Sequence, residues 1–375
     1  MRRTTESIAT GVGSSRSGFD APADPASARR RRFSDEILRA RLSNSAWTAP
    51  IRRIWSGLGT CLMYHRICTD DFTPDPSFWP NRELAVRACE FDRQMRHLAR
   101  HYNCVALPEA VRLLRCGRLP RRSIIVTFDD GYRDNLTLAL PILRKHDVPA
   151  TIYVTTGLID NAISGWWYEL EQIVRRENRL TFEWRGKRIH EAIINARRKH
   201  ECHDRLSRWM KRLAPADQVR LMKQVRNGGH QHAPPGNEPL SRRQVRELAR
   251  DPLITVGAHT HLHPVLSRLT PGRMQAELQR ASSLLEEWTG QPVTHLAYPF
   301  GGPEHAGRRE FKMAERLGFE SATTTRIGHL HSFHGKRLFA LPRIAIAHDD
   351  DLARFRWKLS GLECLTRRPL SRIAT

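Results

Sequence analysis

Two short runs of this sequence carry the residue types of hydrolytic metal chemistry. Thr127-Phe128-Asp129-Asp130-Gly131 ends a continuous apolar stretch in two adjacent carboxylates, and His259-Thr260-His261-Leu262-His263 follows the apolar stretch Leu253-Ile254-Thr255-Val256 with imidazoles. Successive side chains of an extended strand diverge, so Asp129 and Asp130 cannot point the same way. That allows one carboxylate to hold an ion while the other faces a water. His259 and His263 lie four residues apart, close enough for both rings to meet one ion. Two neutral imidazoles and one carboxylate leave a coordination position open, the arrangement of catalytic zinc. Each run also has a plainer reading. Asp-Asp-Gly suits a turn that ends a strand, and 18 His make a chance surface cluster unsurprising. Two separate strand ends supplying complementary ligands is the less accidental pattern, and a metal site is the expectation.

The surrounding pattern supplies elements to hold these residues. Cys61-Leu62-Met63-Tyr64 reads as a first buried strand, and Glu90 to Tyr102 has Phe91, Met95, Leu98 and Ala99 at helical spacing. A second helix runs from Pro108 to Cys116, and Ser123 to Phe128 is a buried strand. A helix from Asn135 to His146 and a strand from Ala150 to Val154 follow. Strand, helix, strand in this order implies right-handed crossovers and a parallel sheet, with ligands at the carboxyl ends of strands. The rhythm breaks over about residues 165–245, which hold Trp166-Trp167, a hairpin from Leu180 to Ile189 and charged helices including Arg205 to Leu213. This stretch is expected to be a mostly helical insertion. Alternation resumes at Leu253 to Val256, with a helix from Pro271 to Thr289, a strand from Thr294 to Ala297, a helix from Phe311 to Leu317 and a strand from Leu338 to Ile346. Pro342 places that last strand at an edge or bulge.

Composition narrows the function classes. The 375-residue chain is 40% hydrophobic, enough for one large α/β barrel. Its formal charge of +23 favours anionic partners, such as an acidic membrane surface or a substrate carried on lipid phosphate. Residues 1–55, with the run Arg29-Arg30-Arg31-Arg32, have little apolar periodicity and are expected to be a disordered basic segment. No helix-turn-helix, zinc-finger or aromatic-basic motif accompanies the charge, so nucleic acid is not an expected partner. The seven Cys form no CxxC pair, which reads as reduced thiols rather than a disulfide framework. With no apolar run of membrane-spanning length and no signal-peptide core, a cytoplasmic protein with at most peripheral membrane contact is expected.

Taken together, Thr-Phe-Asp-Asp-Gly and His-Thr-x-x-His resemble the first two motifs of the polysaccharide deacetylase family, also known as the NodB-homology or carbohydrate esterase family 4 group. Leu62-Met63-Tyr64-His65-Arg66, Pro149-Ala150-Thr151-Ile152-Tyr153-Val154 and Ala297-Tyr298-Pro299-Phe300-Gly301 share in the resemblance, which covers about residues 59–350 apart from the insertion. It implies an α/β fold, a distorted (β/α) barrel of seven strands. It also implies a divalent metal, zinc by family habit, and hydrolysis of N-acetyl groups on a polysaccharide, oligosaccharide or lipid-linked saccharide. Asp129 would be the general base, with Asp130, His259 and His263 as metal ligands and Tyr298 offering a backbone N–H to the oxyanion. Two departures stand out. The family's usual Arg before the aromatic–Pro pair is replaced by Ala297, leaving Arg343 as a substitute from a later strand. The general acid has three candidates in His65, His331 and His348, of which His65 ends the first strand and is preferred. Trp166 and Trp167 would stack on sugar rings or pack the insertion onto the barrel. Other readings stay open: hydrolysis of a formamido sugar or small amide, and a degenerate carbohydrate-binding protein.

Overall fold

The computed structural model describes residues 56–73, 75–226 and 238–367; the expected disordered segment 1–55 lies outside them. Strand β1 (Gly59–Tyr64) leads into β2 (Arg66–Cys68) and β3 (Ala85–Arg87), which pair only with each other. Next come β4 (Asn103–Cys104), β5 (Ser123–Phe128) and β6 (Ala150–Val154), then a hairpin of β7 (Arg179–Trp184) and β8 (Lys187–Ala192). The chain returns through β9 (Ile254–Ala258), β10 (His295–Ala297), β11 (Ser321–Ile327) and β12 (Leu341–Ala345).

Seven of these strands close a parallel ring in the order β1-β12-β11-β10-β9-β6-β5, with β5 returning to β1 in unbroken register from Gly59↔Ser123 to Tyr64↔Phe128. β4 adds two residues at the start of β5. Strands covered on both faces must be apolar throughout, and every residue of β1, β5 and β6 is buried. The barrel is distorted where β10 contributes three residues and where the β11–β12 register shifts between Thr323 and Ile327.

Amphipathic helices cover the ring as their spacing predicts. The helix Ala88–His101 buries Phe91, Met95 and Leu98, and Pro271–Thr289 buries Met274, Leu278, Ala281, Leu284, Leu285 and Trp288. Thr270 caps the latter through Arg273 N and Gly290 ends it at φ 70°, a left-handed terminus that glycine adopts without strain. β11 escaped the sequence reading: Ser-Ala-Thr-Thr-Thr-Arg-Ile lacks an apolar run, yet Thr323 and Thr324 are buried with their hydroxyls bonded to the carbonyls of Leu296 and Leu341.

The insertion has a core of its own. The helix Trp166–Arg176, the β7–β8 hairpin and the helices Ala196–Met210 and Pro215–Val225 gather Trp166, Trp167, Leu170, Phe182, Leu206, Met210 and Leu221 around Tyr132 from the barrel. The hairpin turns at Arg185 (φ 51°) and Gly186 (φ 76°), the pair of positive angles that matches strand twist. The helix Arg242–Ala249 packs as a barrel helix, with Arg246 Nε donating to Trp288 O at 2.9 Å and Gln291 Nε2 to Ala249 O at 2.9 Å. Its polar-rich sequence hides one buried stripe of Val245, Leu248 and Ala249. Among the described residues no helix is long and apolar enough to cross a membrane.

Candidate active site

Both chemical runs sit where strands stop, at the same mouth of the barrel. Past β5, Asp129 N still donates to Tyr64 O at 3.0 Å, and then Asp130 (φ 75°) and Gly131 (φ 80°) turn the chain sharply. Gly131 is required twice over: its φ is left-handed, and a Cβ there would lie 3.2 Å from the Val154 side chain. Past β9, His259 N donates to Val154 O at 3.0 Å, and Thr260 (φ 63°) and His263 (φ 52°) both take left-handed angles. Such angles in non-glycine residues cost energy, and the surroundings must impose them. Glu277 does so by accepting from His261 N (3.2 Å) and Leu262 N (2.8 Å), and Thr260 Oγ1 accepts from His263 N at 3.1 Å. The middle imidazole points elsewhere, since His261 Nδ1 lies 2.9 Å from Thr156 Oγ1.

Asp130, His259 and His263 are brought together. Asp130 Oδ1 is 3.5 Å from His259 Nε2 and 3.4 Å from His263 Nε2, and the three ligand atoms all lie within 4.8 Å of one another. All three residues are buried, and Asp130 Oδ1 has no hydrogen-bond partner among the described residues. His259 Nδ1 donates to Ala297 O at 2.7 Å, which fixes the tautomer and leaves the Nε2 lone pair facing Asp130. Burial lowers His259 to a pKa of about 4, so its ring is neutral. Burial alone would raise the Asp130 carboxyl, but the imidazole of His263, followed by His65 and His259, holds it well below the usual range. A lone pair and an unpaired carboxylate oxygen converging in a dry place suit a cation between them. The His263 ring is wedged between Trp167 and Phe300, each with its centroid 4.9 Å away.

Asp129 turns the other way. Arg343 reaches it from β12 with two parallel hydrogen bonds, Nη1 to Oδ1 at 2.6 Å and Nη2 to Oδ2 at 2.7 Å. The guanidinium, 1% exposed, also donates to Thr324 O (3.0 Å) and Thr127 Oγ1 (3.1 Å) and lies over the Tyr153 ring at 5.7 Å. Gly257 makes room for that ring, because a Cβ there would fall 2.5 Å from Tyr153 Cδ1. Burial pushes the Asp129 carboxyl up, but Arg343 and then His259 outweigh it and keep the group below its ordinary value. The structure thus places Arg343 beside Asp129 from a strand far along the chain.

Other expected residues fall differently. The Tyr298 N–H donates to Thr323 O at 3.1 Å as part of the barrel ladder, and its hydroxyl donates to Phe339 O at 3.1 Å, so neither is free for an oxyanion. Phe300 has φ 59°, and its N–H has no partner among the described residues; the second aromatic of the Tyr-Pro-Phe-Gly run was the signal for it. Trp166 and Trp167, 5% and 7% exposed, are packing residues of the insertion core and offer no open face to a sugar. His65 follows β1 at the same mouth, half-buried, and its ring acts electrostatically on both aspartates. His348 is at the same mouth, edge-on to Trp79 with centroids 4.6 Å apart. His331 is at the opposite end of the barrel, next to Leu330, which pairs with Gly59 at the start of β1.

Comparison with known proteins agrees with this layout. The polysaccharide deacetylase family model matches residues 117–183 and 218–322, which include both ligand runs but leave out His65, Arg343 and part of the insertion. YxkH of Bacillus subtilis, provisionally named a polysaccharide deacetylase, is 24% identical over 288 residues, 76% of this chain and 70% of that protein. A Staphylococcus aureus poly-beta-1,6-N-acetyl-D-glucosamine N-deacetylase is 27% identical over 122 residues, 31% of this chain and 41% of its own length. Among solved structures, the Streptococcus pyogenes deacetylase PplD in complex with acetate matches with a TM-score of 0.50 at 22% identity, covering 80% of this chain and 97% of that one. A Bacillus cereus polysaccharide deacetylase matches with a TM-score of 0.50 at 22% identity, over 80% of this chain and 68% of its own. At these identities the structural likeness speaks for the fold. The family match spans both ligand runs, and it and the relatives alike mark the chain as similar to the polysaccharide deacetylase family, hydrolases of carbon–nitrogen bonds other than peptide bonds.

Proposed function

We propose that the chain hydrolyses the acetamido group of an N-acetylated saccharide, releasing acetate and leaving a free amine on the sugar. The observation that carries this reading is the meeting of the Asp130, His259 and His263 cluster with an Asp129 carboxylate clamped by Arg343. A divalent cation held by Asp130, His259 and His263, zinc on the chemistry of this donor set, would supply Lewis acidity toward the amide carbonyl and lower the pKa of a water.

The chain's own residues account for the proton traffic. Asp129 accepts a proton from the attacking water. Each of its oxygens bonds once to Arg343 and keeps a second lone pair for that purpose. The clamp keeps the carboxyl ionised and aimed, which sets its basicity low and its geometry fixed. As the water oxygen bonds to the carbonyl carbon, negative charge gathers on the carbonyl oxygen; the unpartnered Phe300 N–H beside His263 is the donor proposed to face it, in place of Tyr298. When the carbon–nitrogen bond breaks, the departing amine takes a proton, and His65 is the proposed donor. Its place at the end of β1, close enough to act on both aspartates, supports that role.

The named activity of the S. aureus relative supports a polymer of N-acetylglucosamine as substrate class, and the charge of +23 supports a substrate held on an anionic carrier or surface. The test is acetate release from N-acetylated oligosaccharides with and without chelator. Release that stops with chelator and returns with zinc is expected. Metal-loaded protein that frees no acetate from any of them sinks the reading.

A further inference from the structure

A second cavity of about 560 Å³ opens at the same mouth, between the β2–β3 excursion and the insertion helix Trp166–Arg176. It is not lined by Asp129, Asp130, His259, His263 or His65. Its volume is within the range of small-molecule sites, roughly 300–1,000 Å³. The two places are neighbours. Trp167, against the His263 ring, donates from Nε1 to Tyr132 OH at 3.0 Å, and Tyr132 packs edge-on at 5.8 Å against Tyr168, which lines the cavity.

The lining says what kind of ligand fits. Its three cations are each matched: Arg66 with Asp134 at 2.8 Å, Arg133 with Glu238 at 3.6 Å, and Arg175 with Glu171. Asp75 already accepts from Ser77 N and Oγ at 2.8 and 2.7 Å. Charge-compensated walls give no advantage to an ionic ligand. They do contain an aromatic pair, Phe72 and Trp79, edge-on at 5.6 Å, with Phe72 42% exposed. Trp79 is braced from another side by His348, whose loop is tied down by the Arg82–Asp349 ion pair. Deeper in, the Tyr168 hydroxyl is buried without a hydrogen-bond partner among the described residues. A buried phenol of this kind wants a partner, and Tyr168 is among the residues that line the cavity. Exposed aromatic surface at the rim and an unmatched hydroxyl inside suit a polyhydroxylated ring, with its apolar face on Trp79 and a hydroxyl on Tyr168.

We infer that this cavity binds a neutral saccharide unit of the substrate chain, next to the N-acetyl sugar presented to Asp129 and Asp130. The inference rests on the deacetylase reading and deepens it: the insertion makes the enzyme select oligomers over single sugars. His348 is then a positioning residue for Trp79 and not a proton donor.

The experiment titrates full-length Asp129→Asn protein with N-acetylglucosamine and with its β-1,6- and β-1,4-linked oligomers, and measures acetate release by the unmutated protein in parallel. The oligomer of the preferred linkage should bind about tenfold tighter than the single sugar. Trp79→Ala added to Asp129→Asn should erase that advantage. Tyr168→Phe should cut it about threefold, and Trp79→Tyr should keep most of it, which separates loss of the platform from misfolding. In turnover, Trp79→Ala should raise KM for oligomers and leave kcat and the single sugar unchanged. Variants that keep the full oligomer advantage, or an unmutated protein that binds oligomers no better than the monosaccharide, overturn the inference. If no sugar yields acetate yet the oligomer advantage still depends on Trp79, the deacetylase reading fails and the saccharide cavity stands.

Discussion

The two halves of the proposed catalytic mouth, a cation side and a base side, are built in opposite ways. The cation side comes from two loops, each continuous in sequence and each ending a strand, so Asp130, His259 and His263 need only the barrel's parallel register to meet. The base side joins Asp129 to an arginine 214 residues further on, through two hydrogen bonds that exist only once the ring has closed through β12. The cation side is therefore a local device repeated twice, and the base side is a product of barrel closure. One should be removable without disturbing the fold; the other should not.

The widest separation is expected from a pair of substitutions. His263→Ala should strip the metal and abolish acetate release, while the cavity it leaves between Trp167 and Phe300 should cost the metal-free protein less stability than the loss of Arg343 does. Asp129→Asn should keep the metal and still lose activity by about 10²–10⁴-fold, the range of a general base. Metal content by elemental analysis decides between the two sides. If Asp129→Asn also lost its metal, the division drawn here would collapse.

Arg343→Met probes the closure-dependent side directly. Removing one partner of a buried ion pair leaves the other charge stranded, at a cost of about 3–5 kcal/mol, so a large fall in the denaturation midpoint is expected with the metal retained. The Asp129 carboxyl should also rise toward its burial-dominated value. Since the reaction needs it ionised, the acidic limb of the pH–rate profile should move to higher pH. An unmoved limb would mean that Arg343 serves the fold alone.

The same contrast explains what could be read from the sequence. The clustering of Asp130, His259 and His263, which stand in contiguous runs after apolar strands, was legible, because strand ends and residue spacing are local facts. Arg343 was reached through the family resemblance alone, as a substitute from a later strand for the Arg missing at Ala297; its pairing depends on which strands become neighbours, and that is set by closure. Tyr298 was an expectation carried by the resemblance alone; its N–H goes to Thr323 O on β11, a strand that its threonines concealed. Trp166 and Trp167 were ambiguous for a similar reason, since paired indoles suit a sugar or a core equally until the insertion's helices are placed.

Acid should reveal the two sides in different windows. His259, like His295, is neutral in the fold with a pKa lowered by burial to about 4 from an ordinary 6.5, and His329 is lowered to about 3. Between about pH 6.5 and 4 the unfolded chain takes up protons that the folded one refuses, so the stability these rings contribute is complete above about 6.5 and drains as pH falls. Asp129 is shifted the opposite way relative to its charge, below an ordinary 3.8. Its contribution is complete above that value and is lost only as pH falls further. Urea midpoints of metal-free protein should therefore decline well before carboxylates titrate. A flat profile down to about pH 4.5 would contradict the buried-histidine account.

The smallest effect expected concerns Thr127, which ties the clamp to the ring. Its hydroxyl donates to Leu62 O at 2.7 Å and accepts from Arg343 Nη1 at 3.1 Å. Thr127→Val keeps the shape and removes both bonds, leaving one carbonyl and one N–H short of a partner. Arg343 retains both bonds to Asp129 and its bond to Thr324 O, so the guanidinium should stay in place. A loss of about 1–3 kcal/mol is expected, with metal content unchanged and kcat reduced by no more than about threefold. If Thr127→Val instead matched Arg343→Met in both stability and pH profile, the clamp would be held by the strand β5 hydroxyl more than by barrel closure, and the base side would prove as local as the cation side.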